Sequence, residues 1–319
     1  MAVAARPSGT FQARRVRAWN EAPTWLLAAA IYGGWAGLTW FCESLPWWLV
    51  LPLGGWLVAW QNSFQHEAVH GHPSRHPRLN AALAWPPLGL WMPFAIYRES
   101  HLAHHQTPEL TDPVADPESY YVTTERWAAM GRPARALLTA NNTLVGRMIV
   151  GPPLVVGRFW AGELRRLLAG DFAHGGAWLL HLTLCAPVLL WVTVACGIPP
   201  LDYVLLFAWP GLSLTLLRSF AEHRPAAGQD RRSAIVEAGP LTRLLFLNNN
   251  LHALHHDRPE LPWHALPAAF RRERAAILRG NGGYLFAGGY LEIARRFAFV
   301  PKNLPVHPDV TAAPFDELP

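Results

Sequence analysis

At 319 residues the chain is long for one ordinary domain, and with 51% hydrophobic residues against 15% charged it lacks the composition of a soluble one. The net charge of +5 rests on arginine, Lys302 being the lone lysine among 27 basic residues, so the basic balance points to a surface facing anionic lipid and not to nucleic acid. Cys42, Cys185 and Cys196 show no metal or redox spacing.

In chain order, residues 1–22 read as a basic lead-in carrying Arg6, Arg14, Arg15 and Arg17. Apolar runs follow at about 23–42, 45–64, 81–97, 177–198 and 201–220. Four of them approach the roughly 20 residues that a helix needs to cross a hydrocarbon core. The run 81–97 is shorter and holds Pro86, Pro87 and Pro93, which suits a re-entrant or interfacial element. No cleavable leader is expected, because the first run is too long and lacks a small-residue cleavage site. The turns at 42–46 and 197–202 hold no Lys or Arg, which places them outside and both termini, with everything between the second and third spans, in the cytoplasm. The arginine-rich composition points to a bacterial inner membrane. Between Arg126 and Gly170, arginines interleave with apolar residues as in helices lying on a surface. The expected architecture is all-α and membrane-embedded: four helices in two hairpins and a cytoplasmic helical cap, forming one domain over 23–264 with a cytoplasmic segment at 265–319. Tryptophans near span ends, Trp25, Trp40, Trp47, Trp48, Trp60 and Trp209, fit interfacial belts.

Fifteen histidines are present, and eight fall in three clusters: His66 and His70 in HEAVH; His101, His104 and His105 in HLAHH; His252, His255 and His256 in HALHH. On a helix, positions i, i+3 and i+4 are neighbours about 5–6 Å apart, so each cluster is expected to aim its imidazoles at one point. By the topology above all three clusters, and His223 in FAEHR, meet at the cytoplasmic face near the membrane. Eight or nine imidazoles exceed what one zinc ion takes, which argues for two metals. Imidazole suits iron, copper, nickel and zinc alike, so the spacing does not name the element. Glu67, Glu99, Asp112 and Asp116 lie near the clusters and are candidates to accept the far N–H of metal-bound histidines. Capping and pairing with Arg98 is the competing role. His72, His76 and His264 complete no spacing, and His181 is left without an assigned role.

These three boxes, in this order around two apolar hairpins, resemble the membrane fatty acid desaturase superfamily, which also holds hydroxylases and carotenoid ketolases. The resemblance covers about Trp25 to His264. It implies a nonheme diiron centre that uses O2 and two electrons on an unactivated C–H bond of a lipid. It carries the ligand role to His66, His70, His101, His104, His105, His252, His255, His256 and His223, and brings Asn248, Asn249 and Asn250 forward as candidates for an asparagine beside the metal. Fatty acyl desaturation is the expected reaction; hydroxylation, ketolation and decarboxylation to a 1-alkene remain open. The chain has no dinucleotide fingerprint and no haem-binding extension, so a separate electron donor, a ferredoxin or rubredoxin with its reductase, is implied.

Two other classes compete. As a zinc intramembrane protease, HEAVH would use His66 and His70 as ligands and Glu67 as base, which leaves six clustered histidines idle. A metal carrier would spread its ligands along the spans, which here hold almost no ionisable residues.

Overall fold

A computed structural model describes residues 20–226 and 231–308. The arginines of the lead-in and the end of the C-terminal segment lie outside the described residues. The chain is mostly helical. Helices α1 (Ala22–Trp40) and α2 (Trp47–Val69) form the first hairpin, followed by α3 (Pro77–Ala84) and α4 (Phe94–Gln106). Next come α5 (Thr124–Ala129), α6 (Arg132–Asn141), α7 (Leu144–Ile149) and α8 (Gly151–Leu168). The second hairpin is α9 (Gly175–Leu190) with α10 (Pro200–Tyr203) and α11 (Trp209–Glu222). Its apex is wound as π-helix at Trp191–Ala195 and Val204–Ala208. The cap adds β1 (Ile235–Val236), α12 (Pro240–Leu245), α13 (His252–Asp257), α14 (Leu266–Gly280), β2 (Leu285–Phe286) and α15 (Gly289–Phe297).

Among the described residues, two continuous helical segments are long and apolar enough to cross a membrane, Gly175–Ala195 and Pro200–Glu222. The first hairpin, expected to supply two more, is less apolar: α1 is diluted by glycines, and the last turns of α2 carry Gln61, Asn62, Ser63 and Gln65. The hairpins meet through α2 and α11, which small residues bring together. A Cβ on Gly54 would lie 2.6 Å from the Leu206 carbonyl oxygen, and one on Gly211 would lie 2.5 Å from Val58. Around this seam Ile31, Val58, Phe64, Val192, Tyr203 and Phe207 are buried in one cluster.

The run 81–97 divides into the end of α3, an irregular stretch at 85–93 and the start of α4. Proline explains the break, removing donors at Pro86 and Pro87 and starting α4 after Pro93. Side chains from the bundle hydrogen-bond the carbonyls of this stretch: Gln61 Nε2 donates to Pro86 O (2.9 Å), Tyr203 Oη to Leu88 O (2.8 Å), and His181 Nε2 lies 3.0 Å from Leu90 O. His181 thereby gains a structural role. The C-terminal segment folds back into the cap, since β2 pairs in parallel with β1 through Ile235 to Leu285 and Val236 to Phe286. Residues 301–308 are irregular, and Val306 bridges to Val122.

Candidate metal centre

All nine singled-out histidines converge, but in an arrangement that the three boxes do not spell. His66, His70, His101, His105 and His255 form one group, and His104, His223, His252 and His256 form another. Within each group the candidate ligand atoms lie within 4.8 Å of one another. The expectation that each box serves one point therefore needs correction: both His-x-x-His-His boxes are split. On a helix turning 100° per residue, i+4 returns to within about 40° of i, whereas i+3 lies about 60° to the other side. His101 and His105 on α4 accordingly stay together, as do His252 and His256 on α13, while His104 and His255 cross to the other helix's pair.

Local structure sets these positions. His66 closes the last turn of α2 and His70 caps it. His223 follows α11 in extended backbone held against Ser233. Before α13 the chain turns through Leu247 and Asn248 with φ of 48° and 57°, a left-handed conformation that Asn tolerates and Leu seldom adopts. That turn leads directly into His252 at the first residue of α13.

Nε2 atoms face one another at 3.1 Å in His70–His101, His101–His105, His104–His223 and His252–His256. The pairs His223–His252 and His105–His255 approach to 2.9 and 3.2 Å. Two nitrogens each about 2.1 Å from one ion and a right angle apart would be about 3.0 Å from each other. Neutral imidazoles with lone pairs opposed at such spacing need a shared cation or proton, so the donor set fits two metal ions. Burial, then neighbouring imidazoles, keeps His252, His255 and His256 well below the ordinary histidine range and lowers His105 to about 2. These rings are therefore neutral and able to ligate. His104 is the exception: burial lowers it, but Glu118, Asp116 and Glu222 outweigh that and raise it.

Behind the rings stand hydrogen-bond acceptors for Nδ1. Asp116 Oδ1 lies 2.8 Å from His104 Nδ1 and accepts the Glu118 amide, while the Thr111 amide donates to the carboxylate's other oxygen. Glu118 Oε1 lies 3.0 Å from His101 Nδ1, and Ser233 Oγ 3.3 Å from His223 Nδ1. His252 Nδ1 has Asn249 Oδ1 at 3.2 Å and Glu222 Oε1 at 3.3 Å. Asn249 also reaches His66 Nε2 at 3.4 Å and so touches both groups. The contacts at Nδ1 select the tautomer that leaves Nε2 free for a metal.

Of the seven candidates for this outer layer, Asp116 and Asn249 touch the histidines directly. Glu67 is 3.8 Å from His66 Nδ1, and its Oε2 accepts the amide of Trp263 at 3.0 Å. The others require correction. Glu99 is exposed and faces His174 at 3.6 Å, because two residues of helix turn it about 200° away from His101 on α4. Asp112 caps its own turn through the amides of Val114 and Ala115. Asn248 bonds Arg243 and the Trp263 carbonyl, and Asn250 the Val236 carbonyl. His72 pairs with Glu21 at 2.8 Å. Glu118, Glu222 and Ser233 were not anticipated. Glu118 stands two residues beyond Asp116 and Glu222 directly before His223, so proximity to named residues was the available signal; Ser233 had none.

A cavity of about 500 Å3 reaches this centre. Asp116, Glu118, Glu222, His104 and His223 line its polar part, and Leu90, Trp91, Val155, Phe159, Leu212 and Leu216 line an apolar part.

Among curated proteins, none matches the chain. The family model for fatty acid desaturase matches residues 43–288, from the first turn through all three histidine boxes to β2. The chain belongs to the fatty acid desaturase family.

Proposed function

We propose that the protein is a membrane-embedded nonheme diiron oxidoreductase that uses O2 and two externally supplied electrons to oxidise an unactivated C–H bond of a lipid, with fatty acyl desaturation as the reaction. The observation that carries this reading is the division of nine buried or half-buried imidazoles into two adjacent groups, with an amphiphilic cavity against one of them. His66, His70, His101, His105 and His255 would hold one iron, and His104, His223, His252 and His256 the other. Bound there, two irons supply the activation of O2 that a saturated carbon requires. The chain's own part is to orient the rings through Asp116, Glu118, Glu222 and Asn249, to shield the centre from bulk water, and to place an alkyl chain along the apolar wall.

Membrane embedding is supported by the two apolar helices and by exposed Leu26, Trp40, Trp47, Trp48 and Leu53 on the first hairpin, which would supply the other two helices of a four-span bundle. The metal centre and both termini would then face the cytoplasm, in a bacterial inner membrane, where a ferredoxin or rubredoxin can deliver electrons. Against the zinc-protease reading, Glu67 turns its carboxylate to the Trp263 amide, and His66 and His70 share their group with three further histidines.

The test is elemental analysis of the purified protein followed by incubation with labelled fatty acids, O2 and a reducing system. About two irons per chain and an unsaturated product are expected. An alcohol, ketone or 1-alkene would reassign the product within the class, and a single zinc that survives His255→Ala but not His70→Ala would overturn the proposal.

A further inference from the structure

The cavity beside the metal centre contains a cation that the proposed chemistry does not use. Arg147, on the one-and-a-half-turn helix α7, is 1% exposed and is among the largest fully buried side chains of the described residues. Its guanidinium carbon lies 3.9 Å from the centre of the Tyr120 ring, and the residue lines the cavity. Its Nε and Nη2 are buried without a hydrogen-bond partner. The carboxylates that share the cavity are engaged elsewhere: Asp116 with His104, Glu118 with His101, Glu163 with His174, and Glu222 with Arg218. A buried charge without a partner is strongly unfavourable, and a cation–π contact offsets only part of that. The stem is closely packed. It packs on Gly151, where a Cβ would come within 3.3 Å of Arg147 Cδ, and the Arg147 amide donates to the carbonyl of Thr143, the residue that caps α7 (2.8 Å).

We propose that Arg147 receives the free carboxylate of a fatty acid, whose alkyl chain lies along Leu90, Trp91, Phe159 and Leu212 in the same cavity. This rests on the reading of the protein as a lipid-oxidising enzyme and specifies its substrate as a non-esterified acid. The two unpartnered nitrogens are those of one guanidinium edge, the edge that offers two parallel N–H bonds to a planar carboxylate. A cavity of about 500 Å3 is at the modest end of small-ligand sites and suits a compact head group enclosed with its chain. Arg158, exposed and lining the same cavity, adds positive potential for an anionic ligand.

The test is isothermal titration of the full-length, metal-analysed protein in detergent with dodecanoic acid, methyl dodecanoate and dodecyl phosphate. Wild type is expected to bind the acid at least about tenfold more tightly than the ester, consistent with the worth of a buried charge pair. Arg147→Met should reduce acid binding to the level of the ester and leave the ester unchanged, and Arg147→Lys should keep part of the preference. Equal binding of acid and ester by wild type would overturn the proposal even if no variant folds, and tighter binding of dodecyl phosphate would overturn the assignment to a carboxylate. Metal analysis of the same sample separates the two readings. Two irons without acid preference would remove only the head-group assignment, whereas acid preference in a protein that binds no iron would remove only the oxygenase.

Discussion

The five-histidine and four-histidine groups differ in what lies behind them and in what lies before them. In the first, His101 alone has its Nδ1 hydrogen-bonded to a carboxylate, that of Glu118, among the described residues. In the second, His104, His223 and His252 are backed by Asp116, Ser233 and the pair Asn249 and Glu222. The second group also faces the cavity through His104 and His223, and no member of the first lines it. Similar sets of imidazoles are thus given unequal tasks by their surroundings. The cavity-facing group is the more tightly oriented, as expected of the side against which a substrate lies.

The largest expected effect comes from removing one ligand in each group at once. His104→Ala with His255→Ala should lower iron from about two per chain to near zero and abolish turnover, as read by elemental analysis and product formation. If His255→Ala alone also empties the four-histidine group, the two groups are not separable and the comparison breaks. Next is removal of the metal itself. Two sites each held at 100 times its Kd contribute about 2.7 kcal/mol apiece, so exhaustive chelation should lower Tm by roughly 5–10 °C in a thermal melt, and restored iron should return it.

Asp116→Asn tests the backing directly. Loss of such a partner typically costs about 10–100-fold in metal affinity or activity, and here it should weaken the ion held by His104 before the one held by His66. Measuring iron release in two phases would show the order, and equal weakening of both ions would show that the backing is not selective. Glu222→Gln should act in the same direction and also destabilise the fold by about 3–5 kcal/mol, because it leaves buried Arg218 unpaired. The smallest effect is expected of Glu99→Gln, which sits beside the boxes in sequence and away from the rings in space. Its iron content and activity should match wild type.

Much of the site was legible because it is written locally. His-x-x-x-His and His-x-x-His-His are helix-period patterns, and helical periodicity is a property of a few consecutive residues. The prolines at 86, 87 and 93 likewise marked an interrupted segment before any contact was known. What was not legible came from long-range contact. Glu222 differs from Glu99 in no local respect, each being a glutamate within two residues of a histidine, yet one points into the centre and the other into solvent. Among Asn248, Asn249 and Asn250, only the left-handed turn through Leu247 and Asn248 decides which amide faces the histidines.

The candidate ligands, their helical spacing and the apolar runs between them are readable along the chain, since these follow from side-chain chemistry and short-range geometry. Packing between distant helices divides each His-x-x-His-His box between two groups, sets Asp116, Glu118, Glu222 and Asn249 behind them, and buries Arg147 in the cavity without a counter-charge. The reason is physical: a helix dictates the angle between its own side chains, but which partner each angle meets depends on helices packed against it from more than a hundred residues away, as α13 is against α4.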